Sequence, residues 1–249
     1  MYHTAAYSSS IALTSTKQPV LAVADNVFRI GASNGFVLQD DMMLIEAYAG
    51  GVGLANPTLT SPKLNQFSPL RITPFLLTGA VSDGLNKALW PYRPFTFRNQ
   101  EEVTAQADNG NAGAQQETIV VSFATGIDPI PPGEEIFALA TSTTAAIAFT
   151  WTLLTYTLSQ TLPEGVYALI SSEHQSTTAI AHRYTFWNQF YRPGYTSTTA
   201  FTNHQSLDVQ SLQKGMAGQF SNVTLPNIEV FCGAADAAHN VILRMIKVQ

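Results

Sequence analysis

Residues Trp151–Arg192 read WTLLTYTLSQTLPEGVYALISSEHQSTTAIAHRYTFWNQFYR, and their pattern decides the fold class. Trp151, Leu153, Thr155 and Thr157 fall on one side of an extended chain, and Thr152, Leu154, Tyr156 and Leu158 on the other, in a run rich in β-branched and aromatic residues. That predicts a strand. Leu162-Pro163-Glu164-Gly165 joins a fixed φ to a permissive glycine, the chemistry of a tight turn, and Val166–Ile170 resumes the apolar run as a second strand. Glu173–Ser176 is a polar break. From Thr177 to Phe190 a third antiparallel strand is expected, with Ile180, Tyr184, Phe186 and Phe190 on one face and Trp187 and Tyr191 on the other. The first face is expected in the core. Trp187 and Tyr191 are expected to anchor a neighbouring subunit, with stacking on a sugar or base as the alternative.

Downstream, Arg192-Pro193-Gly194 stops this strand, Gly215 and Gly218 offer a bend or bulge, and Asn227–Gly233 and Asn240–Val248 read as the closing strands. Upstream, Ile136–Ala140 and Ala146–Leu158 are strand candidates. Before them, Gly126–Gly133 (GIDPIPPG) is the strongest break in the chain, because its prolines cannot donate to a sheet ladder.

The segment before that break reads as β throughout. Val20–Ile30, Met42–Ala49, Pro69–Phe75 (an edge strand bounded by prolines) and Glu117–Thr125 are strand candidates; Asn56–Pro69 reads as a surface loop and Asp108–Gln116 as a hairpin tip. Trp90–Phe95 is too rich in proline to continue a helix, and residues 1–10 read as a polar arm rather than a barrel strand. Many short strands with Gly/Pro turns and almost no amphipathic helix make the chain all-β. Each half is the size of one jelly roll, so two tandem jelly-roll β-barrels are expected, over 1–126 with its N-terminal arm and over 127–249. A single large β-sandwich is the alternative. No sequence repeat links the halves.

Composition narrows the function. Only 12% of the residues are charged, against roughly 25% in ordinary soluble domains, and Thr, Ser, Asn and Gln supply the polarity. A surface this neutral suits burial against neighbouring copies, a glycosylated secreted β protein being the alternative. The 12 basic residues are scattered and the net charge is −5, which disfavours direct nucleic-acid binding. The N-terminus lacks the basic start and apolar block of a secretory signal. The uncharged run from Ile136 to Pro163 is interrupted by threonines every few positions, which argues against a membrane span. Cys232, alternating with Ile228 and Val230, reads as a small core residue.

Chemical motifs are weak. His3, His174, His182, His204 and His239 include no HxH or HxxxH pair, so no metal site is expected. Gly31-Ala32-Ser33-Asn34-Gly35 matches GxSxG, but extended residues follow it where a nucleophile elbow needs a helix, so it reads as a glycine-rich turn. Asp40-Asp41, Glu101-Glu102 and Glu134-Glu135 are adjacent carboxylates, which point to opposite faces of a strand and read as polar turns. Asn222-Val223-Thr224 fits a glycosylation acceptor without an export signal beside it. No catalytic residue, cofactor or metal is expected, and the chain is expected not to be an enzyme.

The Trp151 strand leading into LSQTLPEGVYALIS, the aromatic strand ending in RPG, and the closing GQFSNVTLPNIEV with VILRMIKV resemble the jelly-roll major capsid proteins of tailless icosahedral bacteriophages, the double-jelly-roll type in particular. The resemblance is one of layout over residues 130–249. It implies two upright barrels, homotrimers forming pseudo-hexagonal capsomers, an icosahedral shell with minor capsid and penton proteins, location in the virion, and an internal membrane beneath the shell. A carbohydrate-binding jelly-roll module of the lectin, adhesin or virion-spike type is the alternative function.

Overall fold

Alternating, β-branched sequence becomes strand almost wherever it occurs. The computed structural model describes residues 1–51, 54–63, 70–71, 88–89, 95–197 and 204–248. The first eleven strands are β1 (Tyr2–Ile11), β2 (Thr14–Val20), β3 (Arg29–Ile30), β4 (Phe36–Val37), β5 (Met42–Gly50), β6 (Leu54–Thr60), β7 (Leu70–Arg71), β8 (Ala88–Leu89), β9 (Phe95–Phe97), β10 (Glu102–Asn109) and β11 (Gln115–Ala124). After the proline-rich segment come β12 (Glu134–Ser142), β13 (Thr152–Leu154), β14 (Tyr156–Leu158), β15 (Val166–Gln175), β16 (Ala179–Thr185), β17 (Gly194–Thr196), helix α1 (His204–Lys214), β18 (Gly218–Ser221), β19 (Asn227–Cys232) and β20 (His239–Lys247). The chain is all-β.

Two compact units result, one holding Ala5–Val81 and Leu85–Thr125, the other Gly126–Gln249 together with Met1–Thr4. In the C-terminal unit one sheet runs β12-β20-β15-β18, with β14 on its outer edge, and the other runs β13-β19-β16-β17. Counted as eight successive positions, with β13 in the second, these orders are first-eighth-third-sixth and second-seventh-fourth-fifth, the strand order of a jelly roll. The N-terminal unit repeats it. There β1-β11-β5-β8 forms one sheet, with β9 sharing the β5 edge, and β2, β10, β6 and β7 form the other, with the β3–β4 hairpin set beside β10. The same order thus recurs in two halves that share no visible sequence repeat.

Each unit buries its own aromatic core. In the N-terminal unit Tyr7 lies 4.8 Å from Phe36, and Phe123 lies 5.9 Å from both Phe28 and Phe97. The Tyr7 hydroxyl donates to the Val103 carbonyl at 2.7 Å, so its one polar atom is satisfied. In the C-terminal unit Tyr167 stacks on Phe220 at 5.8 Å, Phe186 lies tilted against Phe220 at 6.4 Å, and Trp151 packs against Phe231 at 5.3 Å.

Several expectations are corrected. Residues 2–11 are a strand and not an arm, because Tyr2, Ala5, Ala6 and Tyr7 are buried. Val20–Ile30 is mostly irregular, whereas β6 (Leu54–Thr60), which runs into the expected Asn56–Pro69 loop, pairs along β10. The expected strand over 151–158 breaks at Thr155, so that β13 pairs β19 in one sheet and β14 pairs β12 in the other. Likewise β15 and β16 follow each other in sequence but belong to different sheets. The aromatic strand ends at Thr185; a turn closed by Gln189 N–H to Phe186 O at 3.2 Å then breaks the alternation. Phe190 is consequently exposed and Tyr191 buried, the reverse of the pattern read from the sequence. Most of the Pro69–Phe75 strand and of the Trp90–Phe95 segment lies outside the described residues.

Candidate functional site

Three features of the C-terminal unit hold the polar groups that a site would need. The first is a chain of buried side chains running through its interior. His174 and the Ser171–Glu173 stretch come from β15, His182 and Tyr184 from β16, Ser197 from just after β17 and His239 from the start of β20. His239 Nε2 faces the Thr144 and Asp236 carbonyls at 3.1 and 3.3 Å, so that nitrogen carries the proton and Nδ1 is bare. His174 Nε2, 3.1 Å from that Nδ1, therefore donates to it, and its own Nδ1 accepts from Ser197 Oγ at 2.7 Å. With its proton so used, Ser197 Oγ accepts from His182 Nδ1 at 3.1 Å, and His182 Nε2 lies 2.9 Å from Ser172 Oγ, whose single proton also faces the Ile242 carbonyl at 2.9 Å. Tyr184 donates to Ser172 and heads the line. From His182 to His239 the donors point the same way along the chain. Burial, reinforced by the neighbouring His239, pushes the His174 pKa down to about 3, the Asp236 charge opposing weakly.

The second is a bed of cations under the first residues of the chain. Arg183 is fully buried; its Nε meets Glu229 at 2.5 Å, its Nη1 donates to the Thr4 carbonyl at 3.3 Å, and its guanidinium lies 4.0 Å over the Trp151 ring. Arg192 meets Glu229 at 3.0 Å, its backbone N–H donates to His3 Nδ1 at 3.1 Å, and its carbonyl accepts from Thr4 N–H at 3.0 Å. Lys214 donates to the Gly194 carbonyl at 2.8 Å beneath the rings of Tyr2 and Tyr195. These cations are structural, held by partners inside the unit.

The third is an open cleft of about 370 Å³ where the turn after β16 meets β18 and the turn before β19. Phe186 and Phe220 form its floor. Trp187, 94% exposed, stands at its side, with Asn188, Gln219, Ser221 and Thr224 supplying amides and hydroxyls. A second cleft, of about 480 Å³, is lined by threonines in and beside β12 and β14 with Tyr156, His239 and Asn240.

The motifs weighed from the sequence fall elsewhere. Gly31–Gly35 is the β3–β4 hairpin turn, closed by Gly31 N–H to Gly35 O at 2.9 Å, with the Ser33 and Gly35 amides both donating to Glu102 Oε1 at 2.9 and 3.0 Å. Asp41 accepts from the Asn99 amide at 2.8 Å, Glu101 from the Arg98 amide at 3.0 Å, and Glu135 pairs with Arg244 at 2.5 Å. Asn222 Oδ1 accepts from the Gly165 amide at 3.2 Å. Cys232 is buried and free, its thiol pKa pushed up by burial. His3 is tied to Arg192, and His204 opens α1. Among the described residues no group of three or more His, Cys, Asp or Glu is placed to hold a metal ion. No helix among them is long and apolar enough to cross a membrane. The histidine chain carried no sequence signal, since His174, His182 and His239 share neither spacing nor motif; Gln219, Ser221 and Thr224 join Trp187 only through the fold.

Comparison with known proteins adds little. No protein-family profile and no curated protein matches the chain. Among solved structures it is similar to the crystal structure of the major capsid protein P2 from bacteriophage PM2. The identity is 9%, over 99% of this chain and 98% of that one, with a TM-score of 0.25. The jelly-roll assignment above rests on strand order alone.

Proposed function

We propose that this chain is a viral coat protein that assembles as a homotrimer into pseudo-hexagonal capsomers of an icosahedral shell, together with minor capsid and penton proteins. The observation that carries the reading is the recurrence of one eight-strand order in both units. Two barrels per chain give a trimer six similar lobes, which is what a pseudo-hexagonal tile requires.

Surface chemistry supports it. Leu212, Ile147, Leu153 and Phe137 are large apolar side chains left 83%, 63%, 54% and 42% exposed, on a chain with half the usual share of charge to keep it apart from its copies. Four cations of the C-terminal unit are committed internally: Arg183 and Arg192 to Glu229, Arg244 to Glu135 and Asp208, Lys214 to a backbone carbonyl. A shell of this composition is separated from its genome by an internal membrane or by a second, basic protein. Sedimentation and electron microscopy test the assembly. Trimers or shells at micromolar concentration are expected, and a 26.9 kDa monomer alone would overturn the reading.

A further inference from the structure

Trp187 is the most exposed large hydrophobic side chain among the described residues, at 94%, and it directly follows Phe186, which is 2% exposed. The fold explains how both occur together. Phe186 turns inward as β16 ends, its ring lying where a Cβ on Gly218 would stand only 2.6 Å away, and the turn to Gln189 then throws Trp187 and Asn188 outward. A tryptophan presents a large apolar face with one N–H donor, and such rings stay uncovered on a protein surface mainly where something docks against them.

What would dock is set by the rest of the cleft. Asn188 and Gln219 are exposed amides; among the described residues the Asn188 side chain has no hydrogen-bond partner, and that of Gln219 reaches only the Met216 sulfur at 3.6 Å. Ser221 and Thr224 add hydroxyls across a short turn held by Thr224 N–H to Ser221 Oγ at 3.1 Å. No Lys, Arg, Asp, Glu or His lines the cleft, so it offers nothing to a phosphate, a carboxylate or a cation. Its volume, about 370 Å³, lies in the range of roughly 300–1,000 Å³ typical of small-molecule sites. An aromatic face beside uncharged amides and hydroxyls complements a ring with an apolar C–H face and an equatorial belt of hydroxyls. We propose that this cleft binds a neutral saccharide, with the sugar ring stacked on Trp187 and its hydroxyls bonded to Asn188, Gln219, Ser221 and Thr224. The other cleft, near His239, has hydroxyls but no exposed indole against which to stack a ring.

The site is independent of the coat function and is tested apart from it. The full chain is titrated with glucose, galactose, mannose, N-acetylglucosamine, cellobiose, lactose and chitobiose, read by saturation-transfer NMR and by the Trp187 indole N–H resonance. At least one of these sugars is expected to bind with millimolar affinity and to shift that resonance. Trp187→Ala should weaken binding by roughly tenfold or more without changing the thermal midpoint, and Trp187→Phe should restore part of it. Glucuronate should bind no better than glucose, because no cation faces it. The proposal is overturned if none of these sugars moves the indole resonance, or if binding survives Trp187→Ala. It is equally overturned if the indole is already buried in the sugar-free oligomer, in which case Trp187 is a subunit contact. Sedimentation of the same variants reads the coat function separately.

Discussion

Acid should destabilise the C-terminal barrel through His174. An unfolded histidine titrates near 6.5, whereas burial, reinforced by the neighbouring His239, holds this one at about 3, so the folded state binds the proton only well below the unfolded state. The resulting stability is fully present above about pH 6.5 and is lost as the pH falls toward 3, at about 1.4 kcal/mol per pH unit. At pH 5 the loss reaches about 2 kcal/mol, a large part of what a single barrel has to spare. Geometry points the same way: a proton on His174 Nδ1 would face the Ser197 hydroxyl that donates to it, and Ser197 could not turn away without meeting the donor on His182. The ionisable groups around the chain are Tyr184 and Tyr195 beside His182, and His239 and Asp236 beside His174; only Asp236, acting weakly, favours the imidazolium. Urea unfolding near pH 7.5 and near pH 5, on the wild type and on His174→Gln, measures the effect as a difference, so that other titrating groups cancel. The wild type should lose about 2 kcal/mol more than the variant between the two conditions. Long-range ¹⁵N–¹H spectra should show His182 as the Nδ1–H tautomer and His174 and His239 as Nε2–H. An imidazolium signal from His174 at pH 5, or equal losses in the two proteins, would refute the reasoning.

The N-terminal unit should respond in the opposite sense: Glu117 is fully buried, neither carboxylate oxygen has a hydrogen-bond partner among the described residues, and burial raises its pKa to about 7. Its contribution is present below about pH 4.5 and lost as the pH rises through 7, so Glu117→Gln should stabilise the protein at pH 8 and converge with the wild type under acid, as read by thermal unfolding across that range. Phe186→Ala should cost about 3–5 kcal/mol, since the ring is 2% exposed and packs on Phe220 and Tyr184; an unchanged melting temperature would contradict the packing. Gly218→Ala should also destabilise, because the new Cβ would meet the Phe186 ring at 2.6 Å. Purified protein should bind DNA negligibly near physiological salt, and tight, salt-sensitive retention in a filter or mobility assay would count against the proposed separation of shell and genome.

The strands that the sequence made legible are those in which residues alternate between core and a more open face, as along β12 and β20, or form one continuous buried apolar run, as along β11; the misread ones have a local reason. Asn56 and Pro57 made the stretch from Asn56 to Thr60 look like a loop, yet they fall where β6 slips register against β10 between Gln106 and Asp108, a bulge in which the missing proline N–H costs no ladder bond. Helix α1 left no hydrophobic period because its buried stripe, Leu207, Gln210, Ser211 and Lys214, is mostly polar. Gln210 accepts from the Ser172 amide and Lys214 caps the Gly194 carbonyl, so hydrogen bonds do the work that apolar packing does elsewhere. The histidine chain was illegible for a related reason: its members, 174, 182, 197 and 239, meet only after β15, β16 and β20 are placed. That also bears on why two halves without a shared sequence adopt one strand order. Strand order asks only for short alternating segments and turns at the right spacing, which many sequences satisfy, whereas a buried donor chain or a cation bed asks for particular residues. The features confined to the C-terminal unit, the histidine chain, the Arg183 bed and the Trp187 cleft, are therefore where substitutions should separate the two barrels in stability and in binding while leaving their common topology intact.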